Sequence, residues 1–317
     1  QILRIYNYYY RLFINKPNKN TFIDYVILFK INYIYLSKII LFANIDYKKE
    51  FIRDDYNSRS TLEALINDEK KILTVAVQHH VHPIEYPPIS FIFFNRYIVF
   101  SKLLSNFAAK YWKHIKIIKS GRENLDELYF LNKEIPKSKK EKIFNNIYRG
   151  NTKVLIILPK VYSRYFDMKA FNNLFLAVKK ISNNKKLKVK IFFKFRGRTD
   201  LEPIKSIIEL SKEDKRLIID TDYSTQELSI LCDKVITHST SFSIWELSAL
   251  KKQFYILNLK PEVMKYYFRK IDKDIFIKSI DKIYETIISN KFNEKKLKIN
   301  WNYLYDECNF YFDGKNK

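Results

Sequence analysis

The sequence predicts an α/β protein built as two Rossmann-like domains facing across a cleft. Three observations carry this. At 317 residues the chain exceeds what one hydrophobic core usually organises, so two domains of roughly 150 residues are expected. Residues 154–257 alternate short, wholly apolar runs with amphipathic segments, the signature of a parallel sheet covered on both faces. A weaker form of the same alternation occupies the first half.

The elements follow in order. A polar stretch at 136–152, with four lysines at Lys137, Lys139, Lys140 and Lys142 and with Glu141 among them, is expected to be a linker. Strands are then predicted at 154–158, 189–193, 216–219, 234–237 and 254–257. Helices are predicted at 167–181, where Phe171, Leu174, Phe175 and Val178 share a face, and at 201–210, 225–231, 242–250 and 277–289. In the first half, residues 72–77, 97–100 and 115–118 are expected to be parallel strands. The predicted domains are therefore 1–136 and 151–317. The chain begins at Gln1, not Met, so a missing N-terminal segment is expected.

The 58 Lys+Arg against 34 Asp+Glu give a net charge of +24, a field that attracts anions: phosphorylated small molecules, acidic lipid or nucleic acid. No zinc finger or RNP strand is present, so nucleic acid is not an expected partner. Abundant Ile, Lys and Asn with four Gly also suits an A+T-biased genome, which inflates Lys without function. Cys232 and Cys308 stand in unrelated contexts, which indicates neither a disulfide framework nor zinc and fits a reducing cytoplasm. Residues 26–45 are long enough to span a bilayer, but Lys30 and Lys38 would each cost about 2.5–3.5 kcal/mol at its centre. A core helix, or one resting on an anionic membrane face, is expected instead.

Four constellations carry candidate chemistry. Gln78-His79-His80-Val81-His82-Pro83 follows a predicted strand, and a neutral imidazole there accepts a proton near pH 7. A Pro-rich surface loop and a metal site are the other readings. Thr237-His238-Ser239-Thr240-Ser241-Phe242-Ser243-Ile244-Trp245-Glu246 joins a strand to a helix start, where amides and hydroxyls suit a phosphate; an ordinary N-cap reads the same way. Lys194-Phe195-Arg196-Gly197-Arg198 is expected as a basic loop, either neutralising a departing phosphate or simply solvated. Asp220 and Asp222 have metal-binding spacing, but Ser224 and Glu227 read as a capping box, which puts the aspartates in a turn. Asp54 and Asp55 follow an apolar pair and offer a carboxylate base. No GxGxxG, P-loop or GxSxG pattern occurs, which removes most support for nicotinamide, P-loop and α/β-hydrolase chemistry.

The order of these motifs over residues 50–260 resembles bacterial capsule and lipopolysaccharide glycosyltransferases of the glycosyltransferase-B fold, and more distantly the CDP-glycerol polyol phosphotransferases. The matching features are Gln78-His79, with His80 where glycine is usual; Tyr97-Ile98-Val99-Phe100-Ser101 and Ile117-Ile118-Lys119-Ser120-Gly121; and Asp233, Val235-Ile236-Thr237, Ser239-Thr240 and Glu246. Lys194 is kept, but the His-Pro that often follows it is replaced by Arg196-Gly197.

The resemblance implies an acceptor-side first domain and a donor-binding second domain. His79, with His80 or Asp54 as substitute, would be the catalytic base. Ser239, Thr240, Ser241, Lys194 and Arg196 would hold donor phosphate and Glu246 the ribose. No cofactor and no metal are expected, with a nucleotide-sugar donor, a glycan or lipid-linked acceptor and, from the cysteines and the positive charge, a cytoplasmic enzyme at the inner membrane face. A polyol phosphotransferase and a non-catalytic nucleotide-binding module of an assembly complex are the alternatives.

Overall fold

The computed structural model describes residues 48–52, 58–78, 94–121, 123–158, 167–195, 202–219, 222–238, 241, 243–257, 271–289 and 301–304. The chain divides into two compact units, Gln1–Ser120 and Gly121–Lys317, each built on a parallel sheet.

In the first unit β1 (Lys49–Ile52), β2 (Leu73–Val77), β3 (Arg96–Val99) and β4 (Lys116–Lys119) pair in chain order, all parallel. Between β1 and β2 runs α1 (Ser58–Glu69); between β3 and β4 runs α2 (Lys102–Tyr111). Parallel neighbours need such crossovers. The core gathers on Tyr97 and Trp112, both buried, with ring centroids 5.6 Å apart. Ser101 ends the strand and starts the helix: its hydroxyl accepts from the Leu104 N–H (3.1 Å), satisfying an amide the helix leaves open.

The second unit starts with α3 (Glu123–Glu134), a 3₁₀ turn at Ile135–Lys137 and α4 (Lys139–Ile147). Residues 136–152 are therefore ordered structure and not a linker. Their lysine content hides a helical period in which Ser138 caps the start and Phe144 turns inward. The Phe144 ring lies 5.3 Å from Phe192, 5.3 Å from Tyr223 and 4.8 Å from Tyr148.

Next come β5 (Thr152–Leu158), α5 (Met168–Asn183), β6 (Val189–Phe195), α6 (Glu202–Glu213), β7 (Leu217–Ile219), α7 (Thr225–Leu231), β8 (Lys234–His238), α8 (Ser243–Ala249), β9 (Gln253–Leu257), β10 (Phe276–Ile277) and α9 (Ile280–Ile288). The sheet order is β10-β9-β8-β5-β6-β7, all parallel. Numbered from β5, this is the doubly wound order 3-2-1-4-5-6, which reverses between β5 and β8.

One face of that sheet is covered by Phe171, Leu174, Val178 and Ile181 of α5, Ile207 of α6, and Ile283 and Ile287 of α9. Each such side chain stabilises by about 1.5–3 kcal/mol relative to exposure. The C-terminus of α5 is closed by Arg216, whose guanidinium donates to the carbonyls of Ile181 (3.0 Å), Ser182 (2.9 Å), Asn184 (2.9 Å) and Leu187 (3.2 Å). Asp214 holds that guanidinium at 2.7 Å. Burial alone would raise the Asp214 carboxyl, but hydrogen bonds from Arg216 outweigh it and hold the group well below the usual carboxylate range.

Candidate functional site

In an open parallel sheet the ligand crevice lies outside the carboxyl ends of the strands where the order reverses, which in the second unit is the end of β5 and β8. The run from Thr237 to Glu246 leaves β8 at that point and enters α8. Ser241 forms the turn: its N–H donates to the His238 carbonyl (2.9 Å) and its carbonyl accepts from Ile244 N–H (3.4 Å). His238, the last residue of β8, is buried.

Three hydroxyls form a chain there. Thr237 Oγ1 and Ser243 Oγ are 2.8 Å apart, Ser243 Oγ and Ser241 Oγ are 2.5 Å apart, and Ser241 Oγ also accepts from the Ser243 N–H (3.3 Å). Three hydroxyl protons make two such bonds, so one proton is left over. Run from Ser241 toward Thr237, the chain would strand that proton on Thr237, which is fully buried. Run from Thr237 through Ser243, it leaves the proton on the half-buried Ser241, whose two lone pairs are already filled. Burying an unused donor is the more costly arrangement, which favours the order that leaves the spare proton on Ser241. An ordinary cap and a donor for an anion are thus compatible in one serine.

Lys194 is the penultimate residue of β6 and not part of a loop as the sequence suggested: β6 continues two residues further because Phe195 packs against the core. Lys194 pairs in register with Ile157 of β5. Ile156 pairs with Ile236 of β8, so Thr237 stands at the level of Ile157 on its other side. Two strand spacings then separate Lys194 from Thr237, about 10 Å, with both on one face of the sheet. Glu246 lies in the first turn of α8 and is partly buried. Ser239, Thr240, Arg196 and Asp220 lie outside the described residues. Ser224 and Glu227 do form the expected capping box, with Glu227 N–H to Ser224 Oγ at 3.1 Å and Ser224 N–H to Glu227 Oε2 at 2.6 Å. Asp222 is exposed just before it. Among the described residues no three His, Cys, Asp or Glu gather as a metal site.

In the first unit Gln78 closes β2. Its N–H donates to the Ile98 carbonyl and its Oε1 accepts from the Phe100 N–H, both at 2.9 Å, tying the carboxyl ends of β2 and β3 together. His79, His80 and Asp54 lie outside the described residues, as do 26–45. Among the described residues no helix is long and apolar enough to cross a membrane.

Strongly perturbed groups lie at the opposite, amino edge of the second sheet. Desolvation lowers Lys234 to about 8, only partly offset by the charge of Asp233, and pushes the Cys232 thiol far up. Lys234 is structural there: its ammonium donates to the carbonyls of Thr286 (2.9 Å), Ile287 (3.3 Å) and Ser289, closing the end of α9. Thr237 and Ser243 were present in the motif but carried no separate role in the sequence reading. The signal that could have found them is a hydroxyl at the last core-facing position of a strand paired with one at the first residue of the next helix.

No family model matches the sequence, and no curated protein matches it. Solved structures do share the fold. A UDP-GlcNAc 2-epimerase from Neisseria meningitidis bound to UDP-GlcNAc has a TM-score of 0.55 at 13% identity, over 94% of this chain and 79% of the other. The UDP-GlcNAc 2-epimerase from Methanocaldococcus jannaschii has 0.53 at 13%, over 93% and 86%. A UDP-forming α,α-trehalose-phosphate synthase from Burkholderia xenovorans in complex with glucose-6-phosphate has 0.52 at 10%, over 96% and 82%. The chain has the two-domain Rossmann-like fold of the glycosyltransferase-B type. At these identities the likeness is one of fold.

Proposed function

We propose that the chain is a nucleotide-sugar enzyme, and specifically a metal-independent glycosyltransferase that moves a sugar from a nucleotide-activated donor to a glycan or lipid-linked acceptor of a bacterial surface polysaccharide. The observation that carries the reading is the Thr237–Ser243–Ser241 hydroxyl chain at the reversal point of a doubly wound sheet, on the face that also bears Lys194. The bound UDP-GlcNAc of the Neisseria enzyme, which shares the fold, supports a nucleotide-sugar donor.

In this reading His79, or His80 or Asp54 in its place, takes the acceptor hydroxyl proton as the oxygen bonds to the sugar anomeric carbon. The bond from that carbon to the donor phosphate breaks, and the electron pair leaves with the nucleoside diphosphate. Ser239, Thr240, Ser241, Lys194 and Arg196 stabilise the charge that develops there, and Glu246 accepts from the ribose. The net charge of +24 supports a cytoplasmic enzyme working against the anionic inner face of the membrane.

Thermal unfolding with UDP, CDP, GDP and ADP, each with and without EDTA, tests the donor site. A nucleotide at about 100 times its dissociation constant should stabilise by about 2.7 kcal/mol, with the gain insensitive to EDTA and reduced in Ser241→Ala and Glu246→Ala. If no nucleotide shifts the midpoint, the reading fails. A second reading, epimerisation of the donor sugar, is favoured by the repeated fold likeness to UDP-GlcNAc 2-epimerases. NMR of UDP-GlcNAc incubated with enzyme and no acceptor separates them: appearance of the 2-epimer selects epimerisation.

A further inference from the structure

The outer face of α4 is apolar and exposed. Two of the large apolar side chains exposed among the described residues sit one turn apart on it, Ile143 at 54% and Ile147 at 62% exposure. They continue the stripe begun by Lys139, since residues four apart lie above one another on a helix. Lys142 and Asn146 flank the stripe, and Lys137 and Arg149 stand just beyond the two ends; all four are exposed, as is Lys139. Lys137, Lys139, Lys142 and Arg149 form no ion pair with a described residue, whereas Lys140 is engaged by Glu227 at 2.5 Å. Glu141, the acid of the helix, is turned aside and accepts from Asn145 at 3.1 Å. The inward side is pinned by the fully buried Phe144, about a quarter-turn round the helix from Ile143, so the helix presents this face without freedom to roll.

We propose that the outer face of α4 is a docking surface for an anionic lipid membrane, with Ile143 and Ile147 entering the headgroup boundary and Lys137, Lys139, Lys142 and Arg149 meeting the lipid phosphates. An apolar pair inside a ring of cations has the chemistry of an interfacial helix, in which apolar burial and attraction to acidic headgroups add. A second copy of the chain fits less well. A two-fold contact would set this face against itself and bring its lysines together, a like-charge arrangement that opposes association. The assignment gives the membrane-surface part of the reading above a location and rests on that part, not on the transfer chemistry.

The test is co-sedimentation of the full chain with vesicles of phosphatidylcholine alone and of an equimolar mixture with phosphatidylglycerol, at low and high salt. The expected result is binding to the anionic vesicles only, weakened by salt. Neutralising two of the lysines in Lys139→Gln/Lys142→Gln should weaken it roughly 30-fold, at about tenfold per 1.4 kcal/mol and about 1 kcal/mol per cation. Ile143→Ser/Ile147→Ser should weaken it roughly tenfold or more through lost apolar burial. These side chains are exposed, so the thermal midpoint and any nucleotide-induced shift should match the wild type, which keeps loss of docking distinct from loss of fold or of the donor site. Undiminished binding by both double variants overturns the α4 assignment while leaving membrane association standing. Absence of wild-type binding overturns both. Equal binding to neutral vesicles overturns the electrostatic part, and a lipid-independent dimer dissolved by Ile143→Ser/Ile147→Ser assigns the face to a second copy instead.

Discussion

Lys234→Met isolates what burying one ammonium does to the second unit. Lys234 is 2% exposed, and its pKa is pushed down to about 8 by desolvation, whereas in an unfolded chain a lysine titrates near about 10.4. Between those values the unfolded state holds a proton that the native state has released. Stability therefore rises with pH through this window and is flat below pH 8, where both states are protonated. A gap of about 2.4 units at 1.36 kcal/mol each gives the wild type about 3 kcal/mol between pH 7 and pH 10.5. Methionine keeps the stem's packing and has no proton to lose there. Other lysines and tyrosines titrate in both proteins and cancel in the difference. At neutral pH the variant loses three donations to the end of α9 but escapes the desolvation, so the neutral-pH difference has no fixed sign. The pH dependence has one. Urea unfolding of both proteins at half-unit steps from pH 7 to 10.5 measures it. If the wild-type minus Lys234→Met difference stays level, Lys234 keeps its proton in the native state, and the three carbonyls outweigh desolvation.

Arg216→Ala should cost about 3–5 kcal/mol, because it opens the end of α5 and leaves Asp214, 5% exposed, with only the more distant Lys185 at 3.8 Å; calorimetry should show a midpoint lower by about 10 °C. Asp214→Asn should be less stable than the wild type above about pH 4. Because the native carboxyl titrates below its unfolded value, that deficit should shrink as acid protonates it, and a deficit constant down to pH 2 refutes the depressed pKa. Phe144→Ala should cost about 3–5 kcal/mol and Ser138→Ala about 1 kcal/mol in chemical denaturation if 136–152 is a packed helix and not a linker. Thr237→Val removes the hydroxyl that orients the chain toward Ser241. It should weaken nucleotide binding several-fold in titration calorimetry, while Thr237→Ser restores it.

The second half was legible because its strands are buried on both faces and read as short, wholly apolar runs, while α5 carries its apolar face at helical spacing. The elements that were missed include those whose local pattern is weak. β10 has two residues, β1 pairs one buried residue with exposed neighbours, and α4 turns a single large residue inward among lysines. The candidate site was legible as a run of hydroxyls between strand and helix. Which of them bond to one another was not.

By itself the sequence determined the fold class, the order of most strands and helices in the second unit and the capping box at Ser224. The tertiary structure alone decided the rest. The order β10-β9-β8-β5-β6-β7 put the hydroxyl run at the point of reversal and set Lys194 level with Thr237 across β5. Packing joined Thr237, Ser243 and Ser241 in one hydroxyl chain, and burial of Lys234 turned a surface-type residue into the clamp on α9. Register and burial are relations between segments distant along the chain, and side-chain periodicity within one segment does not encode them.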